Sequence, residues 1–176
     1  MAVDYFLKID GIEGESEDSQ HKGEIEIGSF HWEEAQQGSF SQGGGGGSGK
    51  VKMGNFDFIA RTSKASPKLM LACATGQHIP SAVLNCRKAG GGQQDFYTVT
   101  FTDVLVAKYH VGSGEGNGDA AHDDDNAAGG YDEGTLTDQV SFNFGKIEVE
   151  YKPQKPDGSM DTPVKIGYNL KQNKKV

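Results

Sequence analysis

Long apolar runs are absent from these 176 residues, and none approaches the length of a membrane span. Cysteine is scarce, with Cys73 and Cys86 alone, and nothing in their spacing demands a disulfide. Both are expected as buried free thiols. Basic residues are outnumbered: the net charge of −8 argues against non-specific nucleic-acid binding. No internal repeat is visible, and no G-x-S-x-G elbow supports a hydrolase of that type. The stretch Met1 to Gly11 lacks the basic n-region and apolar core of a signal peptide. Any export is therefore expected by a route that uses no cleaved Sec signal.

What is present is glycine and alternation. The chain has 26 glycines and 35% hydrophobic residues, a composition of many turns. A single domain of this size buries roughly 70% of its unfolded surface, so a core forms without metal or disulfide staples. Tyr5, Leu7 and Ile9 share one face of a strand, as do Tyr97, Val99 and Phe101. Val164, Ile166, Tyr168 and Leu170 do so in the last strand. Ile25 and Ile27 give way to Phe30 and Trp32 across Gly28–Ser29. Val140, Phe142 and Phe144 give way to Ile147, Val149 and Tyr151 across Gly145. Each change of parity predicts a β-bulge, and bulges bend sheets toward closure. With strands over Met53–Ala60 and Ile79–Lys88, this predicts a mainly β fold. We expect a small closed barrel of two sheets with about seven or eight strands. The single domain spans 1–176, with flexible loops at about 41–50 and 110–138.

One short helix interrupts the strands. Ser66 suits the N-cap, Pro67 the first helical position, and Gly76 the residue after the end. The residues between are apolar nearly all round, so cover on two sides is expected. The second cover is either the same chain or another subunit, and in the latter case Leu69, Met70, Leu71 and Cys73 are the candidate contacts.

The run Gly43–Gly44–Gly45–Gly46–Gly47–Ser48–Gly49–Lys50 imitates a phosphate-binding loop. It fails as one three times. Val51 replaces the magnesium-binding hydroxyl, polar residues precede the loop, and an alternating segment follows where a helix is needed. It reads instead as an extended tip between strands, able to drape over a neighbour. His122 with Asp123, Asp124 and Asp125 lacks calcium-loop spacing and reads as part of a solvated acidic loop. Cys73 near a helix C-terminus is poorly placed to be a thiolate nucleophile, whatever its nearness to His78. No catalytic, cofactor or metal site is expected. If Phe30 and Trp32 point inward, His31 and Glu33 point out.

An ordered set of landmarks resembles the haemolysin-coregulated protein (Hcp) family of the type VI secretion system. They begin with Met1–Ala2–Val3–Asp4-x-Phe6-x-Lys8–Ile9, Gly14–Glu15–Ser16, and Phe30-x-Trp32. They continue with Gly49–Lys50–Val51, Ser66–Pro67 before the Leu-Met helix, and Arg87–Lys88–Ala89–Gly90–Gly91. Phe142-x-Phe144, Tyr151-x-Pro153–Gln154–Lys155 and Gly167–Tyr168–Asn169–Leu170–Lys171–Gln172–Asn173 complete them.

The resemblance implies a β-barrel with one helix, closed into six-membered rings that stack into an expelled tube. Small effectors ride in the lumen. A spike protein and a contractile sheath are further partners, with assembly in the cytoplasm. It implies that Gly43 to Lys50 reaches the adjoining ring. It also implies that His31 and Glu33 face the lumen. His31 departs from the small polar residue common at its position, and the acidic segment around Asp123 is longer than usual. Two other readings compete: a tail-tube-like subunit of another contractile machine, and a monomeric secreted β-sandwich that binds a ligand.

Overall fold

The computed structural model describes residues 3–36, 50–88, 93–113 and 134–176. The strands are β1 (Val3–Ile9), β2 (Ile25–His31), β3 (Glu34–Ala35), β4 (Lys52–Met53) and β5 (Phe56–Arg61). After the helix α1 (Ser66–Thr75) come β6 (His78–Lys88), β7 (Asp95–Ser113), β8 (Leu136–Tyr151), β9 (Val164–Asn169) and β10 (Lys174–Lys175). Hydrogen bonding runs β8–β5–β2–β1–β6–β7 and returns from β7 to β8, which closes a barrel. Closure leaves these strands fewer exposed edges. β9 and β10 extend the sheet from β8, while β3 and β4 form a separate two-stranded stem. The expected mainly β barrel with one short helix is what forms.

Alternation fills the barrel. Leu7, Ile27, Phe58, Leu84, Val99, Phe101 and Phe142 are all buried. The centre is aromatic: the Phe142 ring lies 5.0 Å from Phe56 and 5.1 Å from Phe101. Such edge and tilted contacts add to the burial of the rings themselves.

The parity change at Gly28–Ser29 is a bulge, with the β2–β5 register shifting between Ile27 and Ser29. The change at Gly145 has a different cause. Register holds from Thr102↔Lys146 to Val104↔Phe144, so no extra residue is inserted there. Both long strands invert together: burial passes from Phe101 to Val104 in β7 and from Phe144 to Ile147 in β8. Asp103 has φ 58°, a left-handed backbone uncommon for a non-glycine residue. A Cβ on Gly145 opposite would lie 3.4 Å from Asp103 Cβ and 3.0 Å from Lys171 Cε. Glycine leaves the room that the shared bend needs. Further bulges fall at Cys86/Arg87 and Val106/Lys108.

Three boundaries differ from expectation. The strand expected over Met53–Ala60 breaks at Gly54–Asn55, with its two parts in different sheets. β7 continues to Ser113, paired with Leu136 of β8, so both margins of the expected 110–138 loop are strand. Residues 114–133, including His122 and Asp123 to Asp125, lie outside the described residues, as do Gly43 to Gly49. The helix ends at Gly76 as expected, with φ 64°. Its start differs: Ala65 holds the N-cap position without a side-chain cap, and Ser66 is already the first helical residue. Ser63 Oγ accepts from the Ala65 amide at 3.3 Å, and the Ser63 amide donates to Ser66 Oγ at 2.9 Å. Ser66 is buried because its hydroxyl has another task inside.

Candidate functional site

Four neighbouring strands carry one polar row across the sheet. His31 of β2 pairs with Asp57 of β5, Asp57 with Ser141 of β8, and Ser141 with Lys108 of β7. Directly paired residues point the same way, so these side chains share a face. They line a hollow of about 520 Å³ together with Phe30 and Gln139. Ser141 Oγ donates to Asp57 Oδ1. The carboxylate stands between the histidine and the serine, so the order is wrong for a relay. In a nucleophilic triad the imidazole must receive the serine proton, and here the acid receives it. The row suits recognition of polar side chains.

The strands bearing this row have open flanks. Among the described residues, Ser29 to His31 pair with β5 alone, and residues 107–113 pair with β8 alone. The two flanks are the outer edges of the half-sheet β2–β5–β8–β7.

Of the expected outward pair, His31 is exposed and lines the hollow. Glu33 is exposed outside it, at the base of the β3–β4 stem, where its carbonyl accepts from the Gly54 amide at 2.8 Å. Lys50 is exposed, while Gly43, Gly44, Gly45, Gly46, Gly47, Ser48 and Gly49 lie outside the described residues. On α1, the residues named as contacts divide. Leu69 is 1% exposed in the chain's own core, so its side chain is not available to a partner. Met70 and Leu71 are 49% and 55% exposed, so one flank of the helix is uncovered in the single chain. Cys73 is half-buried and Cys86 buried, both free thiols. Burial, reinforced by the charge of Asp95, pushes the Cys86 thiol up to about 12.

Two buried polar clusters were not foreseen. Asp138 of β8 is 1% exposed and accepts from Thr62 Oγ1 at 3.0 Å, Tyr109 hydroxyl at 3.0 Å and Ser66 Oγ. It ties the first turn of α1 to β7 and β8. Burial first, then the Asp138 carboxylate, raises the Tyr109 phenol above its ordinary value.

The second cluster lies outside the barrel core, over Phe6. The His21 ring stacks on Phe6 at 4.3 Å, and the Arg87 guanidinium lies 4.9 Å from the Phe6 centroid. Arg87 forms a two-pronged pair with Asp18, while His21 reaches Glu24 at 3.0 Å and Asp95 at 3.1 Å. The Arg87 bond holds the Asp18 carboxyl well below the usual carboxylate range. This cluster straps residues 13–24 onto β1 and β6. Gly14 is essential to the strap, since a Cβ there would lie 2.3 Å from the Glu24 carbonyl oxygen. A periodic reading misses both clusters because their members are 69 to 76 residues apart in the key contacts. The one local signal was Phe6, an apolar residue on the outward face of β1.

Among the described residues, no group of three or more His, Cys, Asp or Glu side chains is arranged to hold a metal. No described helix is long and apolar enough to cross a membrane.

Comparison with known proteins gives a consistent result. The family model described as "Type VI secretion system effector, Hcp" matches residues 6–151. The protein hcp1 of Pseudomonas aeruginosa is 41% identical over 175 residues, covering 98% of each chain. A crystal structure of Hcp1 from Salmonella typhimurium is 35% identical with a TM-score of 0.71, covering 100% of both chains. A solved type six secretion system protein aligns with a TM-score of 0.83 at 29% identity, covering 99% of this chain and 100% of that one.

Proposed function

The chain belongs to the Hcp family of the type VI secretion system, and from that premise we propose that it is a non-enzymatic tube subunit. Six copies close into a ring, and rings stack into a tube that is expelled. Small effectors are carried and sheltered in the lumen. The spike protein and the contractile sheath are its other partners. Assembly takes place in the bacterial cytoplasm, and export needs no cleaved signal peptide. Nucleic acid and membrane insertion have no part in this reading.

The observation that carries the ring is the pair of open flanks on the half-sheet β2–β5–β8–β7. An unpaired strand edge invites another strand. A head-to-tail contact between the β2 flank of one copy and the β7 flank of the next leaves no open flank once the ring closes. Exposed Met70 and Leu71 of α1, with half-buried Cys73, add to the contact with the neighbouring copy. The row His31, Asp57, Ser141 and Lys108 then lines the lumen. Glu33 belongs with the β3–β4 stem, and the segment Gly43 to Lys50 contacts the adjoining ring.

Light scattering after size exclusion, with negative-stain microscopy, tests this directly. A ring with an open centre is expected, and a stable monomer at micromolar concentration refutes it. His31→Ser tests the lumen assignment. Cargo retention by purified rings is expected to change in the variant, and unchanged retention across pH 5 to 8 counts against the assignment.

A further inference from the structure

Val164 and Ile166 are each 61% exposed, an unusual position for two β-branched residues of one strand. Their register explains what they are part of. Ile147 pairs with Tyr168, Val149 with Ile166, and Tyr151 with Val164. Ile147 belongs to the core, so the apolar face of β8 and β9 runs on past the barrel and is left uncovered at Tyr151 and Val164. The edge is open as well. Among the described residues, 164–166 pair only with β8, since β10 takes only Tyr168 and Asn169.

This edge is basic. After Asp161 the chain holds Lys165, Lys171, Lys174 and Lys175 and no acid. Lys171 is bound to Asp103. Lys165 is 3.7 Å from Glu148, which already has Lys146 at 3.4 Å. Lys174 and Lys175 have no ion pair among the described residues.

The matching surface is on the same chain. β3 and the residue before it present exposed Glu34 and Glu33, neither ion-paired among the described residues. Among the described residues β3 pairs with β4 alone, through Glu34↔Met53 and Ala35↔Lys52, so its other edge is open. An acidic segment with an open strand edge and a basic edge that lacks a partner are thus both present in every copy.

We propose that β3 of one copy adds to the β9 edge of a copy in the adjoining ring, with Glu33 and Glu34 set against Lys165, Lys174 and Lys175. The inference rests on the tube reading and locates the surface that receives the next ring. Strand addition supplies backbone bonds, and the charges set register and partner choice. A second copy is the occupant because one chain carries both halves of the complementarity. A contact of this kind repeats from ring to ring without closing, as a tube requires.

The test uses two charge-reversed sets in the full chain. One is Lys165→Glu, Lys174→Glu and Lys175→Glu. The other is Glu33→Lys and Glu34→Lys. Ring closure is read by light scattering, and stacking by negative-stain microscopy and sedimentation at low salt, where exposed charges are least screened. Each set alone is expected to keep rings and cut the stacked fraction roughly tenfold. The two sets combined in one chain should restore stacking. Intact rings that stack as well as wild type in either set overturn the inference, as does a combined variant that fails to recover. Wild-type rings that never stack at high concentration and low salt also overturn it, while leaving the ring itself in place. A monomeric wild type instead refutes the tube reading beneath it.

Discussion

Replacing Asp138 with alanine should detach the start of α1 from the barrel. Three hydroxyls lose their acceptor: Thr62 Oγ1, Ser66 Oγ and Tyr109. Bonds to a charged group contribute about 1.5–3 kcal/mol each, but the three losses do not add, because they share one acceptor. Thr62 is exposed and recovers a bond from water, and half-buried Tyr109 recovers part of one. Ser66 is 4% exposed and recovers nothing. The sum is about 3 kcal/mol for Asp138→Ala and roughly half that for Asp138→Asn, which keeps one carbonyl acceptor. In a chain of this length that is a fall in Tm of about 6–12 °C for the alanine variant. Circular dichroism melts at matched concentration measure it, since assembly itself raises apparent stability. Amide exchange in α1 should accelerate more than exchange in β1. The same substitution to asparagine should bring Tyr109 ionisation partly back toward about 10, since burial remains. The sign in wild type follows: stability from the protonated phenol is full below the unfolded value and is lost as pH rises through the raised folded one. An Asp138→Ala variant within about 1 kcal/mol of wild type, with unchanged exchange in α1, refutes the role assigned to this carboxylate.

Asp18→Asn should lower stability at neutral pH, and the difference from wild type should shrink as pH falls below about 4. The reason is that the folded Asp18 carboxyl titrates below its unfolded value, so its contribution is present above that value and lost in acid. Urea melts across pH 2 to 7 check this, and a pH-independent difference contradicts it. Cys86, with its thiol pushed up to about 12, should resist alkylation at pH 8 until the chain unfolds, while half-buried Cys73 reacts first. Peptide mass spectrometry after iodoacetamide treatment reads the order, and equal rates count against it. Deleting Gly43 to Gly47 should leave the ring folded and weaken stacking. An unfolded deletion variant assigns the segment to the core instead.

Local sequence was enough wherever one residue's neighbours in sequence are also its neighbours in space. Alternation at Tyr97–Val99–Phe101 and Val140–Phe142–Phe144 marked the long strands, because period two follows from backbone geometry alone. Gly76 marked the helix end because only a left-handed residue closes it there. The two parity changes marked bends, although local pattern does not distinguish a bulge from a shared inversion. That choice at Gly145 was made by Asp103, forty-two positions earlier in sequence and directly opposite in space. Ser66 shows the same limit. By composition it is a helix cap, but it lies inside the first turn, where the Asp138 carboxylate takes its hydroxyl, and Ala65 holds the cap position. The row His31–Asp57–Ser141–Lys108 also exists only through register, since four strands must be paired before their polar residues align. The sequence by itself determined a barrel of alternating strands with one short helix, because those rest on local periodicity. The tertiary structure alone decided the buried polar clusters, the polar row and the open edges, because each depends on which distant strands meet and which are left without a neighbour.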